Sequence, residues 1–305
     1  MSLVSMFKPN GPSGFGASST AEQVTQGLSL SGKTFLVTGC NSGLGLETLR
    51  VLTLRGAQVL GTARTADKAT EAIKGLQLST AKGLSCELAD PKSVRACVQA
   101  VRASGVRLDG IICNAGIMAL PKLHQACGYE LQFFTNHIGH FILCTGLLSR
   151  LTKEGRVVVL SSSAHQTAPR GGICFDDLTL EKNYNNWTSY GQSKLANLLF
   201  ARELARRLPA GQVANAVHPG VISTNLGRHM GSFLNGAMDL FGGLFLKTIP
   251  QGAATQVWAA THPATATLTG QYMADCNVAK SSAHGQNMDM AARLWARTEE
   301  IVAKL

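Results

Sequence analysis

The stretch Thr34-Phe-Leu-Val-Thr-Gly-Cys-Asn-Ser-Gly-Leu-Gly45 passes from a continuous apolar run into a turn that contains three glycines. The run predicts a buried strand over Thr34–Thr38, and the residues after the glycines predict a helix that extends to about Arg55. A buried strand that leads through a glycine-rich turn into a helix is typical of the first unit of an α/β fold. This stretch therefore sets the expected architecture.

The remaining chain repeats the alternation of short apolar runs and helical patterns. Further strands are predicted at 57–62, 83–87, 108–113, 156–161, 212–218 and 270–274. Helices are predicted at 66–75, 91–102, 126–151, 187–208 and 251–262. Apolar strands separated by helices favour a parallel sheet that is covered on both faces. We therefore expect a single α/β domain with a doubly wound (Rossmann) sheet of about seven strands and a ligand crevice at their carboxyl ends.

Bulk composition limits the possible classes of function. The chain has 305 residues, of which 45% are hydrophobic and 15% charged, and this predicts one large domain over 31–305 after an N-terminal arm, 1–30. Its net charge of +10 comes from scattered bases, which favours an anionic small ligand over nucleic acid. The arm has Lys8 as its one base, so it is not a secretory signal. A plastid-type leader and an uncleaved arm both stay open.

Cysteine and apolar patterns indicate the setting of the protein. The eight cysteines include no Cys-x-x-Cys pair, and several lie in apolar runs, so we expect a reducing compartment and no metal site. Spacing of the His-x-x-x-His type is also missing. No apolar stretch reaches the roughly 18–20 residues that a transmembrane helix needs. We predict no membrane span.

The glycine-rich turn is a candidate phosphate site. Glycines let a backbone approach a pyrophosphate that sits on the free N–H groups of a helix N-terminus. Glycines also serve ordinary tight turns, but here they lie between a first strand and a first helix. We therefore predict a dinucleotide cofactor contacted by Gly39, Asn41, Ser42, Gly43, Leu44 and Gly45.

The residue after the second predicted strand bears on which dinucleotide is bound. An acid in this region often binds the ribose hydroxyls of NAD, but this chain has Arg64. A guanidinium can pair with the 2′-phosphate that distinguishes NADP, so the sequence favours NADP(H). The alternative is that Arg64 is an ordinary surface base.

Tyr190 and Lys194 are four residues apart in a predicted helix, so their side chains share one face. A free tyrosine has a pKa of about 10, and a nearby cation favours its phenolate. A tyrosine with a lowered pKa can exchange a proton with a carbonyl or alcohol oxygen while a cofactor moves hydride. Alone the pair is weak, because tyrosines on helices usually pack and lysines usually lie in water.

Several short motifs follow one another in a specific order along the chain. They are Thr38-Gly39-x-x-x-Gly43-x-Gly45, Asn114-Ala115-Gly116, Asn136 in Asn-His-Ile-Gly-His-Phe, Ser162 in Ser-Ser-Ser-Ala-His, Tyr190-x-x-x-Lys194 and Pro219-Gly220. This set resembles the short-chain dehydrogenase/reductase superfamily. The finer resemblance is to its retinol-dehydrogenase-like and WW-domain-containing-oxidoreductase-like branch. Within that branch the chain looks most like the short-chain dehydrogenase subunit of the chloroplast inner-envelope translocon and its plant and algal relatives.

The finer resemblance extends over nearly the whole chain. It is carried by Gly14-Phe15, Ser18–Thr25, Glu130-Leu-Gln-Phe133, Tyr184-Asn-Asn-Trp187, His218-Pro-Gly220, Gln251–Thr255 and Asp275–Val278. It implies a chloroplast location and, in addition, a substrate lid at about 225–250, where Leu, Phe, Met and Gly are frequent. That segment is expected to form a lipophilic mouth, to contact a membrane surface peripherally, or simply to bury its apolar side.

The resemblance also implies roles for individual residues. Tyr190 would be the general acid/base, Lys194 would lower its pKa and bind the nicotinamide ribose, Ser162 would orient the substrate oxygen, and Asn136 would hold the water of a proton relay. The implied cofactor contacts beyond the glycine turn and Arg64 are Glu87, Leu88, Asn114, Ala115, Gly116, Tyr190, Lys194, Pro219, Gly220, Val221 and Thr224. Glu87 stands where relatives usually carry an aspartate near the adenine, and Ser42 stands where many NADP-preferring relatives carry a base.

These expectations together predict an NADP(H)-dependent oxidoreductase without a metal. It would transfer hydride between the nicotinamide and a carbonyl or alcohol, with a small lipophilic aldehyde or ketone as the expected substrate. The alternative is an NADP(H)-binding, redox-sensing subunit of a membrane-associated assembly. Asn136, Ser162, Tyr190 and Lys194 together favour chemistry, since a pure sensor has no need of a proton relay.

Overall fold

An eight-stranded sheet forms the centre of the protein in a computed structural model that describes residues 9–76, 79–222 and 246–305. The strand order is β10-β9-β8-β7-β4-β1-β2-β3, and β5 and β6 form a separate hairpin. In chain order the strands are β1 (Thr34–Thr38), β2 (Gln58–Ala63), β3 (Ala81–Ser85), β4 (Leu108–Cys113), β5 (Gln125–Ala126), β6 (Tyr129–Glu130), β7 (Leu151–Leu160), β8 (Val213–His218), β9 (Tyr272–Ala274) and β10 (Asn277–Val278).

The sheet is parallel from β3 to β9, and all five residues of β1 are buried at its centre. The predicted doubly wound α/β fold is confirmed, with eight strands rather than about seven. The additional strand is β10, which pairs antiparallel with β9. Its two-residue turn, Asp275-Cys276, has positive φ angles of 50° and 57°, the backbone that suits tight hairpins.

Seven longer helices lie against the sheet in the part of the chain that the structure describes. They are α1 (Gly43–Leu54), α2 (Ala66–Gly75), α3 (Pro91–Ala103), α4 (Gly139–Leu147), α5 (Asn186–Arg207), α6 (Ile249–Thr261) and α7 (Met288–Ala303). Local sequence explains their starts: Asp90 accepts from the Lys92 amide at 3.0 Å just before Pro91 of α3. Thr248 and Gln251 form a reciprocal capping box at the start of α6.

The helices cover both faces of the sheet, and each face has its own apolar core. On one face α3, α4, α5 and α7 bury side chains such as Phe141, Leu199 and Trp295. On the other face α1, α2 and α6 bury side chains such as Leu49 and Trp258. This arrangement leaves the carboxyl ends of the strands as the shared edge at which loops from both layers meet.

The predicted third strand was two residues too far along the chain. The structure has it at Ala81–Ser85 rather than 83–87, paired with Val59–Ala63 of β2. After Ser85 the chain leaves the strand for a turn in which the Ser93 hydroxyl accepts from the Glu87 amide at 2.9 Å.

The long helix predicted at 126–151 was wrong at both ends. Its start is the β5–β6 hairpin, because Cys127 and Gly128 adopt φ angles of +51° and +80° and form a two-residue turn. Its end becomes strand β7, which begins at Leu151. The helical part between them contains a π-helical turn at Phe134–Ile138, in which Gly139 N–H donates to the Phe134 carbonyl.

The described part of the N-terminal arm, residues 9–30, packs against the α1 and α6 side of the domain. Ala21 and Val24 are buried, and the Ala21 amide donates to the Pro250 carbonyl at 2.9 Å. Gln251 of α6 donates to the Ser18 carbonyl at 3.2 Å. The arm is therefore bound directly to the first turn of α6. Of the predicted lid, residues 225–245 lie outside the described residues.

Candidate active site

The candidate site residues come from loops that leave the carboxyl ends of six neighbouring strands. The glycine turn follows β1, Arg64 follows β2, and Glu87 and Leu88 lie just beyond β3. Asn114–Gly116 follow β4, Ser162 follows β7, and Pro219–Val221 follow β8. Because parallel strands end at the same edge, the sheet gathers residues that are up to about 180 positions apart in the sequence.

At Gly45 the turn between β1 and α1 has no room for a side chain. A Cβ on Gly45 would overlap the Gly39 carbonyl oxygen and would lie 2.6 Å from Asn114 Nδ2. Gly39 itself has φ +70°, a conformation that favours glycine. The Ser42 side chain makes no capping hydrogen bond, so it leaves the first N–H groups of α1 without a side-chain partner. This cradle suits a pyrophosphate group.

A hydrogen-bonded cluster fixes the loop after β4 to the end of β1. The Thr38 hydroxyl accepts from the Asn114 and Ala115 amides, both at 2.9 Å, and contacts His140 Nε2 at 2.8 Å. His140 Nδ1 lies 2.9 Å from the Asn136 carbonyl, so Nδ1 carries the proton and Nε2 accepts from Thr38. Burial lowers the pKa of His140 to about 4, which keeps this histidine neutral.

Residues after β2 and β3 form one end of the crevice. Arg64 is exposed, and its guanidinium has no hydrogen bond or ion pair within the described residues. Glu87 Oε1 accepts from the Ala89 amide at 3.1 Å, which holds the carboxylate near its own loop. Leu88 is buried, and its carbonyl is so close to Gly139 that a Cβ there would overlap it. Arg64 is thus an exposed cation at the end of β2, without a partner among the described residues.

Asn136 lies in the π-helical turn, fully buried, and its amide group makes three hydrogen bonds. Its Oδ1 accepts from the Ile117 amide and its Nδ2 donates to the Ile117 carbonyl, both at 2.9 Å. Nδ2 also lies 2.9 Å from the Ser193 hydroxyl, which itself donates to the Tyr190 carbonyl. Asn136 therefore connects the loop after β4 with the turn of α5 that carries Tyr190.

Ser162 and Tyr190 are brought together by the end of β7 and the first turns of α5. The Ser162 side chain is the polar group that acts on the Tyr190 phenol, and the Ser162 hydroxyl accepts from the Ala164 amide at 3.1 Å. Ser161, by contrast, is buried and donates its hydroxyl to the Lys194 carbonyl at 2.7 Å. Of these two neighbouring serines, Ser162 is the one that acts on the phenol.

Lys194 is buried beside Tyr190, with its Nζ 5.6 Å from the centre of the tyrosine ring. Nζ donates to the Leu160 carbonyl at 3.1 Å, a carbonyl that Asn197 also binds at 2.8 Å. Burial raises the pKa of Tyr190 to about 12, although the nearby Ser162 side chain acts in the opposite direction. The sequence predicted a lowered pKa for Tyr190, whereas the structure shows a raised pKa. The effect of burial on this pKa exceeds the effect of the nearby groups.

The burial of Lys194 leads to a test by pH. Burial lowers its pKa from 10.5 to about 8, so the unfolded chain holds this proton more tightly than the folded protein. Lys194 therefore opposes folding below about pH 8, and the opposition fades as the pH rises toward 10.5. We expect Lys194→Met to be about 2–3 kcal/mol more stable than the wild type near neutral pH, with the difference shrinking in alkali. Urea unfolding at several pH values measures it.

A matched control for this test is Lys92→Met, because Lys92 is exposed at the start of α3. It should change stability little at any of these pH values. A Lys194→Met protein that is less stable than the wild type at neutral pH would contradict the argument. The Leu160 carbonyl keeps Asn197 as a donor in this variant, so loss of the ammonium leaves no unsatisfied acceptor there.

The turn after β8 completes the edge. Gly220 has φ +94°, and Val221 is 60% exposed. The Lys247 amide donates to the Val221 carbonyl at 2.8 Å, while Lys247 Nζ forms an ion pair with Asp275 Oδ1 at 2.7 Å. This contact fixes the turn against the chain that leads into α6. Thr224, also predicted as a cofactor contact, lies outside the described residues.

Comparison with known proteins identifies the family. The short chain dehydrogenase family model matches residues 33–175. The chain is 40% identical over 311 residues to the short-chain dehydrogenase TIC 32 A, chloroplastic, of Brassica napus, covering 97% of this chain and 96% of that protein. The chain belongs to the short-chain dehydrogenase/reductase family. The family resemblance noted in the sequence is thus confirmed, and with it an oxidoreductase enzyme.

Other members of the short-chain dehydrogenase/reductase family support the finer branch and the fold. Human retinol dehydrogenase 14 is 37% identical over 296 residues, covering 90% of this chain and 87% of that protein. A crystal structure of an uncharacterized protein from Mycobacterium paratuberculosis superposes with a TM-score of 0.76 at 32% identity, covering 92% of this chain and 97% of that one. The blue fluorescent protein from a metagenomic library, in complex with NADPH, has a TM-score of 0.64 at 26% identity, covering 80% and 96%.

Several residues that build the site were not predicted as site residues from the sequence. Thr38, His140 and Ser193 bind the predicted residues, and Gln256 of α6 donates to Asn114 Oδ1 at 3.1 Å. The position of His140, four residues after Asn136, was the one available signal, since it places both on one helical face. The described residues contain no group of three or more His, Cys, Asp or Glu side chains placed to hold a metal ion. No helix among them has the length and apolar character to cross a membrane.

Proposed function

We propose that the protein is an NADP(H)-dependent oxidoreductase that interconverts a carbonyl and an alcohol at Ser162 and Tyr190. The observation that carries the proposal is the meeting of these two side chains at the end of β7, with the buried Lys194 beside them. Two polar hydroxyls at the edge of a glycine-lined crevice form a site for one oxygen atom of a substrate. Family membership and the NADPH-bound neighbour support the choice of a nicotinamide cofactor.

The chain's own residues would handle the proton. Both hydroxyls can donate to a carbonyl oxygen as negative charge develops on it, and the Tyr190 phenol then transfers its proton. The raised pKa of Tyr190 suits a proton donor, because it keeps the phenol protonated at neutral pH. Asn136 and Ser193 hold the turn of α5 that carries Tyr190 through their hydrogen bonds. A bound nicotinamide would supply the hydride, held by the glycine turn, Arg64 and Lys194.

A lipophilic aldehyde or ketone is the substrate class that we infer. Trp187 is 41% exposed, and its ring lies 6.4 Å from the Tyr190 ring. Val221 is 60% exposed on the turn after β8. These are two of the four large apolar side chains that are exposed in the described part of the chain, and both belong to segments of the candidate site. The names of the retinol dehydrogenase relatives support the same class.

A carbonyl screen tests this proposal. Oxidation of NADPH is followed with retinal, a quinone and a short aliphatic aldehyde. We expect kcat/KM for retinal to exceed that for the short aldehyde by at least about tenfold, since each buried methylene contributes about 0.8 kcal/mol. Equal values would contradict the lipophilic class. NADPH binding without turnover on any carbonyl would favour the redox-sensing alternative.

Arg64 provides the test of cofactor choice. Its guanidinium is exposed and has no partner in the described residues, so it is free to pair with a 2′-phosphate. We expect Arg64→Ala to weaken NADPH binding by about 10- to 100-fold, because it removes a charge-assisted contact. NADH binding should stay within about twofold of the wild-type value. Calorimetric titration of both cofactors measures it. Lys68→Ala, an exposed base in α2, is the control, and equal losses for NADPH and NADH would contradict the assignment.

We also infer a chloroplast location. The support is the printed name of the Brassica napus relatives, which are chloroplastic and align with nearly the whole chain. Incubation of the full chain with isolated chloroplasts should yield protein that resists added protease until the envelope is opened. Full digestion before opening would contradict it.

A further inference from the structure

His165 holds the backbone of Ser162 in place. His165 is 1% exposed, and its Nδ1 lies 2.6 Å from the Ser162 carbonyl oxygen. The His165 amide donates to the same carbonyl at 3.1 Å. The Ser162 carbonyl thus receives two donors from one residue, while its side chain accepts from the Ala164 amide and lies beside the Tyr190 phenol.

The other nitrogen of His165 binds a distant part of the chain. The Ser282 amide donates to His165 Nε2 at 3.0 Å. Because Nε2 accepts, the proton must be on Nδ1, and Nδ1 therefore donates to Ser162. Burial lowers the pKa of His165, which favours this neutral form. Both ring nitrogens are thus in use, and each has a defined role.

The ring lies in a rigid setting. It contacts Tyr272 of β9 edge-on, with 5.0 Å between ring centres. Arg202 of α5 is the charged group that acts on His165, and it donates to the Ser281 hydroxyl at 3.3 Å. The segment Ser281–Ser282 is therefore bound both to α5 and to His165.

We propose that His165 is a positioning residue for the carbonyl–alcohol reaction, acting through Ser162. Its Nδ1–H fixes the Ser162 backbone, and its Nε2 attaches this loop to the segment Ser281–Ser282. The direction of the Ser162 hydroxyl toward Tyr190 then depends on the δ nitrogen of His165. This inference rests on the proposed function, because it assigns Ser162 a role in that reaction.

Two substitutions separate the two nitrogens. In His165→Asn the side-chain amide can keep a donor at the δ position but loses the acceptor for Ser282. In His165→Gln the amide can keep an acceptor at the ε position but loses the δ donor. We expect kcat of His165→Asn to stay within about threefold of the wild type and kcat of His165→Gln to fall by about 10- to 100-fold, as small misplacements of reacting groups do. KM for NADPH should stay within about twofold in both.

A double-mutant cycle distinguishes positioning from general stability. If His165 acts through Ser162, then His165→Gln should change kcat by less than about twofold in a Ser162→Ala background. Equal losses of kcat in His165→Asn and His165→Gln, or an unchanged effect of His165→Gln in the Ser162→Ala background, would overturn the proposal. If His165 had a merely structural role, kcat would vary with the thermal midpoint of each variant and not with which of the two nitrogen contacts the variant retains.

Amide hydrogen exchange gives a readout that needs no substrate. His165→Gln should accelerate exchange of the Ala164 amide by about tenfold and spare the Ser282 amide, and His165→Asn should do the reverse. The same pattern in both variants would overturn the proposal. Failure of the wild type to turn over any carbonyl would instead contradict the proposed function, whereas the exchange pattern would still decide whether His165 holds Ser162.

Discussion

Tyr190→Phe is expected to lower kcat for carbonyl reduction by about 10²- to 10⁴-fold, the range in which a positioned acid contributes. The substitution removes one hydroxyl and keeps the ring, so the contact with Trp187 and the burial of Lys194 should be retained. NADPH binding should change by less than about threefold. Steady-state NADPH oxidation and calorimetric titration on the same preparation measure the two quantities.

Tyr129→Phe is the matched control for this loss. Tyr129 lies in the β5–β6 hairpin, where its ring is 6.4 Å from Phe134, and its hydroxyl has no partner in the described residues. It should retain nearly full activity. Retention of more than about a tenth of kcat in Tyr190→Phe would contradict the assignment of Tyr190 as the proton donor, whatever the result for the control.

Asp275→Asn is expected to lower the free energy of unfolding by about 2–3 kcal/mol, because it leaves a buried ammonium without its counter-charge. The Lys247 side chain is 9% exposed and lies 2.7 Å from Asp275, which is 28% exposed. Asparagine tolerates the φ of +50° at this position, so the backbone should not add strain. Urea unfolding of the variant and the wild type measures the difference.

Two further variants make this result specific. Glu300→Gln breaks the exposed pair with Arg297, whose side chains are 59% and 39% exposed, and should cost less than about 1 kcal/mol. Adding Lys247→Met to Asp275→Asn removes the unpaired cation and should recover part of the loss. Similar small losses for Asp275→Asn and Glu300→Gln would show that the Lys247 pair contributes no more than a surface pair.

The sequence predicted the fold where a single pattern ran without interruption. Strand β4 and helix α2 begin and end at the predicted residues, since each is bounded by a clear change of pattern. The β5–β6 hairpin was missed because its turn uses Cys127, a residue with no strong turn preference, ahead of Gly128. Strand β3 was displaced because its register depends on pairing with β2, which local periodicity does not encode.

For the candidate site, too, some features could be predicted from the sequence and others could not. Motif order predicted that Ser162, Tyr190 and Lys194 share a site, and the sheet topology places the segments that carry them at one edge. The pKa of Tyr190 could not be predicted from the spacing, since it depends on how deeply the phenol is buried. The contacts of Thr38 with His140 and of His165 with Ser282 were also beyond the pattern, because each joins positions more than 100 residues apart.

The π-helical turn at Phe134–Ile138 affects which changes of length this helix can accept in related proteins. It holds one residue more than an α-helical turn would, and each residue rotates a helix by about 100°. Loss of one residue here would direct a different side chain at Ile117, although the sheet and the loop lengths would stay the same. Length changes in this helix, as much as substitutions, could therefore inactivate the site in a relative. Alignments of relatives are best anchored on the Asn136–Ile117 contact rather than on helix length.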